Sequence, residues 1–338
     1  MSPYAHITGW GMAVPPRILT NHDLAQMVDT TDEWIRERTG IAERHIAEPG
    51  QTSATLGVEA ALNALRVANL NPAELDLIIV STSSPEHIFP ATACLVQDKI
   101  GANKAGAFDL LGACTGFIFA LNMASQAIRS GSIRNALVIG AETLSKLVDW
   151  QDRNTCILFG DGAGAFVLQA SAQPGGLLSA VMRSDGSGSD LLSLPAGGSR
   201  LPASLETVKS GGHFIHMNGR EVFRFATRVM TQATREAVVA AELKIEDIHL
   251  VVPHQANSRI IEAAMRGLEI PLEHCMINID RYGNTSTASI PIATCEAIQQ
   301  GRLQAGDKVV FVGFGAGLTW GSAVVQWTGP FLPRRQVY

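Results

Sequence analysis

Cys114 stands in the run Gly112-Ala113-Cys114-Thr115-Gly116-Phe117, where a short apolar segment, residues 107–111, meets a helix-like stretch over 117–128. A thiol at a strand-to-helix turn faces the positive end of the helix dipole, which is expected to lower its pKa and enrich the thiolate. Small neighbours let the chain turn sharply and leave room for a carbonyl to reach the sulfur. That pattern suits a nucleophile, although a free cysteine packed as a small hydrophobe would look the same locally. His254 and Asn284 could supply an imidazole and a carboxamide to such a site.

The elements that would hold these groups are written twice. Residues 76–80 read as a buried strand and 107–111 as a second that ends near Cys114. A long helix follows to about Ser130, then a strand over 136–140. The order recurs as 249–253, then 276–279 with a turn at Gly283-Asn284-Thr285, a helix to about Gln300 and a strand over 308–313. The closing strands 164–169 and 321–326 also correspond. Cys114 and Asn284 are thereby expected in equivalent turns, and His254 at the strand end matched by Ser81. Strands that are apolar throughout and alternate with helices indicate parallel-type sheets covered on both faces. The chain therefore reads as an α/β fold of two halves, 1–172 and 173–338, related by a pseudo-dyad that brings helix N-termini together. A histidine at a strand end is by itself an ordinary polar tip at a core edge; the repeat directs it to chemistry.

Apolar residues are 46% of the 338 and charged residues 17%, with 32 glycines, which suits a compact α/β enzyme. A net charge of -5 lacks the clustered basic surplus that general nucleic-acid binding needs. Five scattered cysteines, Cys94, Cys114, Cys156, Cys275 and Cys295, contain no Cys-x-x-Cys. They indicate neither a disulfide framework nor a zinc site, and a reducing cytoplasm fits best. Residues 1–16 lack the features of a signal peptide, and the most apolar stretch, 110–121, is too short to span a bilayer. The glycine clusters 160–164 and 313–317 precede strand-like runs instead of opening helices. They read as tight turns with φ > 0 available, not as nucleotide-binding loops. The second could bring a backbone N–H beside that of Cys114 as an oxyanion hole.

Several stretches in order carry a resemblance: Thr31-Asp32-Glu33-Trp34-Ile35 with Arg38-Thr39-Gly40-Ile41, the run around Cys114, and Phe159-Gly160-Asp161-Gly162-Ala163-Gly164-Ala165. Val252-Pro253-His254-Gln255-Ala256-Asn257 and Gly283-Asn284-Thr285-Ser286 complete it. Over about residues 7–327 the chain resembles the thiolase-fold condensing enzymes, and within them β-ketoacyl-[acyl carrier protein] synthase III. The resemblance implies a layered αβαβα thiolase fold and a two-step reaction. A short acyl group passes from coenzyme A to Cys114; a malonyl thioester on acyl carrier protein then loses carbon dioxide and attacks it, initiating fatty-acid synthesis. It further implies acyl carrier protein as partner, a homodimer, a cytoplasmic enzyme, no metal, and no cofactor beyond the coenzyme A thioester as substrate. His254 and Asn284 make sense as donors to the charge that decarboxylation puts on the malonyl thioester oxygen. The oxyanion hole carries over to the N–H groups of Cys114 and Ala316. Where the family often has glycine this chain has Ala316, whose N–H survives but whose φ is more restricted.

Thr30 and Glu33 have capping-box spacing, so a helix is expected to start there with Trp34 and Arg38 on one face. An indole beside a guanidinium suits the adenine and phosphates of coenzyme A, and equally describes an ordinary surface cation–π pair. The resemblance assigns Trp34, Arg38 and Arg153 to coenzyme A, with Gly219 and Asn257 along the pantetheine channel. Arg220, Arg224 and Arg228 recur every four residues in a helix that begins near Asn218. This basic stripe is either a solvated face or a dock for the acidic carrier protein, extended by Arg259 and Arg266. Phe89 is similar to a family phenylalanine that crosses the dimer interface to close the partner's acyl pocket. Leu144, Phe159 and Ile215 are further candidates for pocket walls, which core packing would explain as well.

Thiolase itself needs a second cysteine in the 313–317 loop, which has none, and synthases of long chains typically pair the cysteine with two histidines. The alternatives are a Cys-His-Asn condensing enzyme of secondary metabolism, polyketide or quinolone type, with a different starter or extender, and a cysteine acyl-thioester hydrolase.

Overall fold

The structure is a computed structural model that describes residues 3–329; the outer ends of the two expected halves, 1–2 and 330–338, lie outside these residues. Its strands in chain order are β1 (Tyr4–Ala13), β2 (Ile18–Thr20), β3 (Glu43–His45), β4 (Leu77–Ser81), β5 (Gly106–Leu110), β6 (Asn135–Glu142) and β7 (Gly162–Ser171), then β8 (Gly176–Ser184), β9 (Leu192–Ser193), β10 (His216–Met217), β11 (Leu250–Pro253), β12 (Lys308–Gly315) and β13 (Thr319–Gln326). One sheet has the order β1-β7-β6-β4-β5 and the other β8-β13-β12-β11. The chain passes from the first to the second between Ser171 and Gly176.

The central strands are apolar along their whole length because both of their faces are covered. In β6, Ala136 and Val138 point into the layer between the sheets, while Leu137, Ile139 and Ala141 pack under the helices Ser53–Ala68 and Thr92–Ile100. In β12, Val309 and Phe311 enter the same inner layer, and Val310, Val312 and Phe314 face the helices Gly219–Ala240 and Ser258–Leu268. The inner layer itself is the pair of helices Gly116–Arg129 and Ser289–Gln299. The stacking is therefore helices, sheet, helices, sheet, helices, as expected.

Small residues allow the inner helices to lie against the sheets. A Cβ on Gly116 would sit 2.0 Å from Ser81 Oγ, and one on Gly164 would sit 2.7 Å from Pro291 Cβ. Close approach, and not left-handed backbone, is thus the main use of the two glycine clusters; within 160–164 and 313–317 only Gly317 has a positive φ, 139°.

The central elements of the two halves correspond, while β5 of the first sheet has no strand counterpart in the second. β4 and β11 pair in parallel with β6 and β12, Leu77 opposite Ala136 and Leu250 opposite Val309, which keeps Ser81 equivalent to His254. The turns before the two inner helices share a left-handed residue, Ala113 at φ 47° and Ser286 at φ 49°. Two details correct the sequence reading. With Ala113 matched to Ser286, Cys114 matches Thr287, so Asn284 shares the turn but lies three residues before the counterpart of the cysteine. Residues 276–279 form no strand. A lone parallel bridge, Val251 to Cys275, stands where β5 pairs with β4. The Asn278 N–H goes to Gln255 Oε1 at 3.0 Å and its amide to Glu296 at 2.9 Å, bonds that draw the chain out of the ladder.

Candidate active site

Cys114 lies on the tight turn Ala113–Thr115 that feeds the helix Gly116–Arg129. Thr115 Oγ1 is 2.7 Å from Gly112 O and 2.8 Å from Thr319 Oγ1, and Thr319 Oγ1 is 3.1 Å from Ala316 O. These contacts tie the cysteine turn to the turn after β12. The end of β12 passes directly over the cysteine: a Cβ on Gly315 would lie 2.7 Å from Cys114 N. One on Gly313 would lie 3.3 Å from His254 Cβ and 3.6 Å from Cys114 O. Ala316 lines the same cavity as Cys114, and its N–H donates to no backbone carbonyl of the described residues.

Burial overturns the expectation of a lowered thiol pKa. Cys114 is only 8% exposed. Loss of solvent moves the thiol up to about 12, with a further push from the charge of Glu142, against an opposing hydrogen bond from the Ser286 hydroxyl. The resting sulfur at neutral pH is a thiol, although it does stand at a helix N-terminus.

His254 directly follows β11 and continues its ladder by donating its N–H to Val312 O at 2.8 Å. Its Nδ1 lies 2.7 Å from the hydroxyl of Ser289, the first residue of the second inner helix. The ring is thereby oriented, and Nε2 is the nitrogen left for a substrate. Burial lowers its pKa to about 3, so the imidazole is neutral. Asn284 is held by its backbone, donating to Leu158 O at 2.8 Å and accepting from Gly160 N–H at 3.0 Å. Its Oδ1 accepts the Ser286 N–H at 2.8 Å, which leaves Nδ2 as the free end of the amide.

Two cavities meet at Cys114, Phe159 and Leu192. The first, about 440 Å³, is lined by Trp34, Arg38, Gly219 and Asn257 together with Cys114, His254 and Asn284. Residues from distant parts of the sequence thus share one space. The second, about 510 Å³, is lined mainly by apolar groups, among them Leu144, Leu147, Phe159, Leu194 and Ile215. Phe89 lines neither cavity of this protomer; it is 84% exposed, beside an equally bare Ile88.

At the mouth, the helix Asp32–Thr39 is capped by Thr31, whose hydroxyl accepts the Trp34 N–H at 3.1 Å. The cap is therefore one residue later than the Thr30–Glu33 spacing suggests, and the Thr30 hydroxyl has no partner among the described residues. Arg38 and Arg153 both lie over the Trp34 ring, at 4.7 and 5.1 Å from its centre. Asn257 caps the helix Ser258–Leu268 and donates its amide to Arg38 O at 2.8 Å. Arg220, Arg224 and Arg259 border a shallow hollow with Arg38. Arg228 lies further along its helix in a hollow shared with Asp185, and Arg266 near the far end of its own, 4.0 Å from Glu262. Arg228 shares its hollow with Arg224, and Arg266 is absent from both hollows.

Sequence reasoning did not find Ser286, Ser289 or Glu142. Glu142 ends β6 fully buried, accepts the Ser83 and Ser84 N–H groups at 3.1 Å and the Ser84 hydroxyl at 2.6 Å, and is raised by burial to about 7. An acidic residue closing an otherwise apolar strand was the only local signal for it. Among the described residues no group of three or more His, Cys, Asp or Glu could hold a metal, no helix is long and apolar enough to cross a membrane, and all five cysteines are free.

Comparison with known proteins finds relatives over nearly the whole chain. The family described as 3-Oxoacyl-[acyl-carrier-protein (ACP)] synthase III matches residues 108–186, and the family describing its C-terminal part matches 238–327. The chain is 53% identical over 328 residues to the beta-ketoacyl-[acyl-carrier-protein] synthase III of Roseiflexus sp. (strain RS-1), covering 97% of this chain and 100% of the relative. It is 56% identical over 321 residues to the protein of the same name from Symbiobacterium thermophilum, covering 95% and 97%. Among solved structures, the 3-oxoacyl-[acyl-carrier-protein] synthase III of Aquifex aeolicus VF5 superposes with a TM-score of 0.89 at 47% identity, covering 96% of this chain and 100% of that one.

Proposed function

The chain belongs to the β-ketoacyl-[acyl-carrier-protein] synthase III family, and from that premise we propose how its own residues carry the reaction. It has the thiolase fold of that family and is an acyltransferase performing the condensation that initiates fatty-acid synthesis. Relatives above 50% identity over nearly the whole chain bear the fatty-acid enzyme's name, so the secondary-metabolism and hydrolase readings are not favoured.

In the proposed first step an acyl-coenzyme A binds with its nucleotide at Trp34, Arg38 and Arg153 and its pantetheine along Gly219 and Asn257. The Cys114 sulfur attacks the thioester carbonyl. The S–H bond breaks as the new S–C bond forms, the bond to coenzyme A breaks, and the proton ends on the departing coenzyme A sulfur. Because burial keeps thiol and imidazole uncharged, proton loss accompanies bond formation and does not precede it. The acyl chain occupies the cavity of Leu144, Phe159 and Ile215.

In the second step malonyl-[acyl carrier protein] takes the vacated channel. Its C–CO₂ bond breaks, and His254 Nε2 and Asn284 Nδ2 stabilise the negative charge on the thioester oxygen. The carbanion attacks the acyl-cysteine carbonyl, whose oxygen is received by the N–H groups of Cys114 and Ala316. Carbon dioxide has already left; collapse of the adduct breaks the C–S bond to Cys114 and releases the β-ketoacyl carrier protein, and the cysteine sulfur takes up a proton from solvent. The coenzyme A thioester is a substrate, and the scheme draws on no separate cofactor or metal. The observation that carries it is the single cavity bounded at once by the three reactive side chains and by four of the five binding residues, Trp34, Arg38, Gly219 and Asn257.

Arg220, Arg224 and Arg228, with Arg259 and Arg266, are proposed to dock the carrier protein. A homodimer is proposed through β5. This edge strand leaves Phe108 at 41% and the adjoining Leu111 at 81% exposed, and its Asp109 accepts the N–H groups of Thr92 and Ala93 at 2.7 Å, bringing the Phe89 loop alongside. An unpaired apolar edge of this kind invites a partner strand. Division of the chain into halves 1–172 and 173–338 and a cytoplasmic location, where five free cysteines stay reduced, complete the proposal.

Intact-mass measurement across a panel of acyl-coenzyme A donors tests it. Cys114 should gain the acyl mass and lose it only when malonyl carrier protein is added. Release of free acid without malonyl substrate would favour a hydrolase, and absence of labelling would end the scheme.

A further inference from the structure

Among the described residues Arg44 is the only buried arginine or lysine, 0% exposed on β3. Among the described residues no carboxylate forms an ion pair with it. Its guanidinium is met by neutral oxygens: Nη1 donates to Leu19 O at 3.2 Å and Asn21 Oδ1 at 2.9 Å, Nη2 donates to Ile157 O at 2.7 Å, and Nε has no acceptor. The acceptor is itself fixed, since Asn21 commits its amide to Asp32 Oδ1 and Ile41 O at 2.9 and 2.8 Å. A buried cation without a matching anion is expensive and adds little to stability.

The backbone it holds is the one behind Asn284. Ile157 begins the segment whose next residues grip the asparagine, with Leu158 O accepting the Asn284 N–H and Gly160 N–H donating to Asn284 O. Arg44 packs against both glycines that flank this pairing. A Cβ on Gly160 would sit 3.1 Å from Arg44 Cβ, and one on Gly283 would sit 3.2 Å from it.

We propose that Arg44 is a positioning residue for the condensation step, fixing segment 157–160 and through it the backbone of Asn284, so that the free end of that amide meets the substrate oxygen. The inference rests on the donor role given to Asn284 above. Acylation of Cys114 does not use that amide; Phe159 of the same segment lines the acyl cavity, so loss of Arg44 acts chiefly on condensation, with a small effect on acylation. A displacement of the amide on the ångström scale lowers the rate by roughly 10²-fold.

The test uses the full chain with Arg44→Met and Arg44→Lys. Acylation by acetyl-coenzyme A is followed by intact mass, and single-turnover condensation of the preformed acyl-enzyme by addition of malonyl carrier protein. R44M is expected to acylate within about twofold of the parent and to condense roughly 10²-fold more slowly, with R44K between them. In an Asn284→Ala background the R44M loss disappears, because the two residues act as one unit. Parental condensation by R44M, equal losses in both half-reactions, or losses that add to those of N284A would each overturn the inference. Should R44M fail to fold, R44K reads the same partition. A parent enzyme whose acylated Cys114 does not condense would instead overturn the proposed function.

Discussion

Ser286 gives its backbone N–H to the side-chain oxygen of Asn284 at 2.8 Å, and this bond determines which end of the amide is turned toward the cavity of Cys114. Asn284→Asp keeps the accepting oxygen, and with it the turn, while exchanging the donor for a second acceptor. Asn284→Ala removes both. Each variant is expected to acylate Cys114 normally and to condense about 10²–10³-fold more slowly, which corresponds to about 2.7–4 kcal/mol of transition-state stabilisation. Single-turnover condensation from acyl-enzyme measures this directly, and a parental rate in N284D would remove the amide from the donor set.

The buried thiol makes a second test. With Cys114 pushed up to about 12, its alkylation by iodoacetamide should rise about tenfold per pH unit from pH 7 to 9.5 without levelling off. The sign for stability follows from the same displacement. Above pH 9 the unfolded chain loses this proton while the folded protein keeps it, so stability drains away as pH climbs from 9 toward 12. Cys114→Ala should lack that alkaline component in urea titrations. A plateau in alkylation below pH 8 would show that the helix N-terminus outweighs desolvation.

The sequence made legible whatever is written by covering both faces of a strand. The apolar runs of β4, β6 and β12 are continuous because helices lie on either side, and the repeat of those runs is what drew His254 toward Cys114. The apolar pair Met276 and Ile277 imitates a strand equally well, yet Gln255 and Glu296 capture Asn278 there, and no local spacing announces contacts from such distant positions. Ser289 beside His254 and Ser286 beside Cys114 were hidden for the same reason, since each meets its partner only through tertiary packing. Thr30 and Thr31 offer two adjacent hydroxyls, and only the first turn of the folded helix selects between them. The raised thiol pKa is not legible in the sequence, because a helix dipole can be read from a pattern and desolvation cannot.

The proposed carrier-protein docking can be separated from coenzyme A chemistry by a change at Arg224. Its guanidinium is exposed and paired only to Glu221 on its own helix at 3.2 Å, a contact worth little in solvent. Arg224→Glu is expected to leave stability and acylation by acyl-coenzyme A unchanged. It should slow the encounter with malonyl carrier protein and flatten the dependence of that rate on ionic strength. An unchanged salt dependence would remove the stripe Arg220, Arg224 and Arg228 from the interface.

Phe89 tests the dimer and the acyl chamber together. An aromatic ring 84% exposed on its own protomer, next to Ile88 at 81%, contributes nothing to that protomer's core, so truncation should not loosen the fold. If the ring caps the partner's chamber of Leu144, Phe159 and Ile215, Phe89→Ala opens one wall of a space of about 510 Å³. Acylation should then extend to longer or branched primers while the shortest primer loses affinity, because its methyl end no longer meets a packed surface. Competition between two acyl-coenzyme A donors, read by intact mass, gives the ratio, and sedimentation gives the assembly state. An F89A enzyme with parental primer preference would leave the chamber closed by the protomer's own residues.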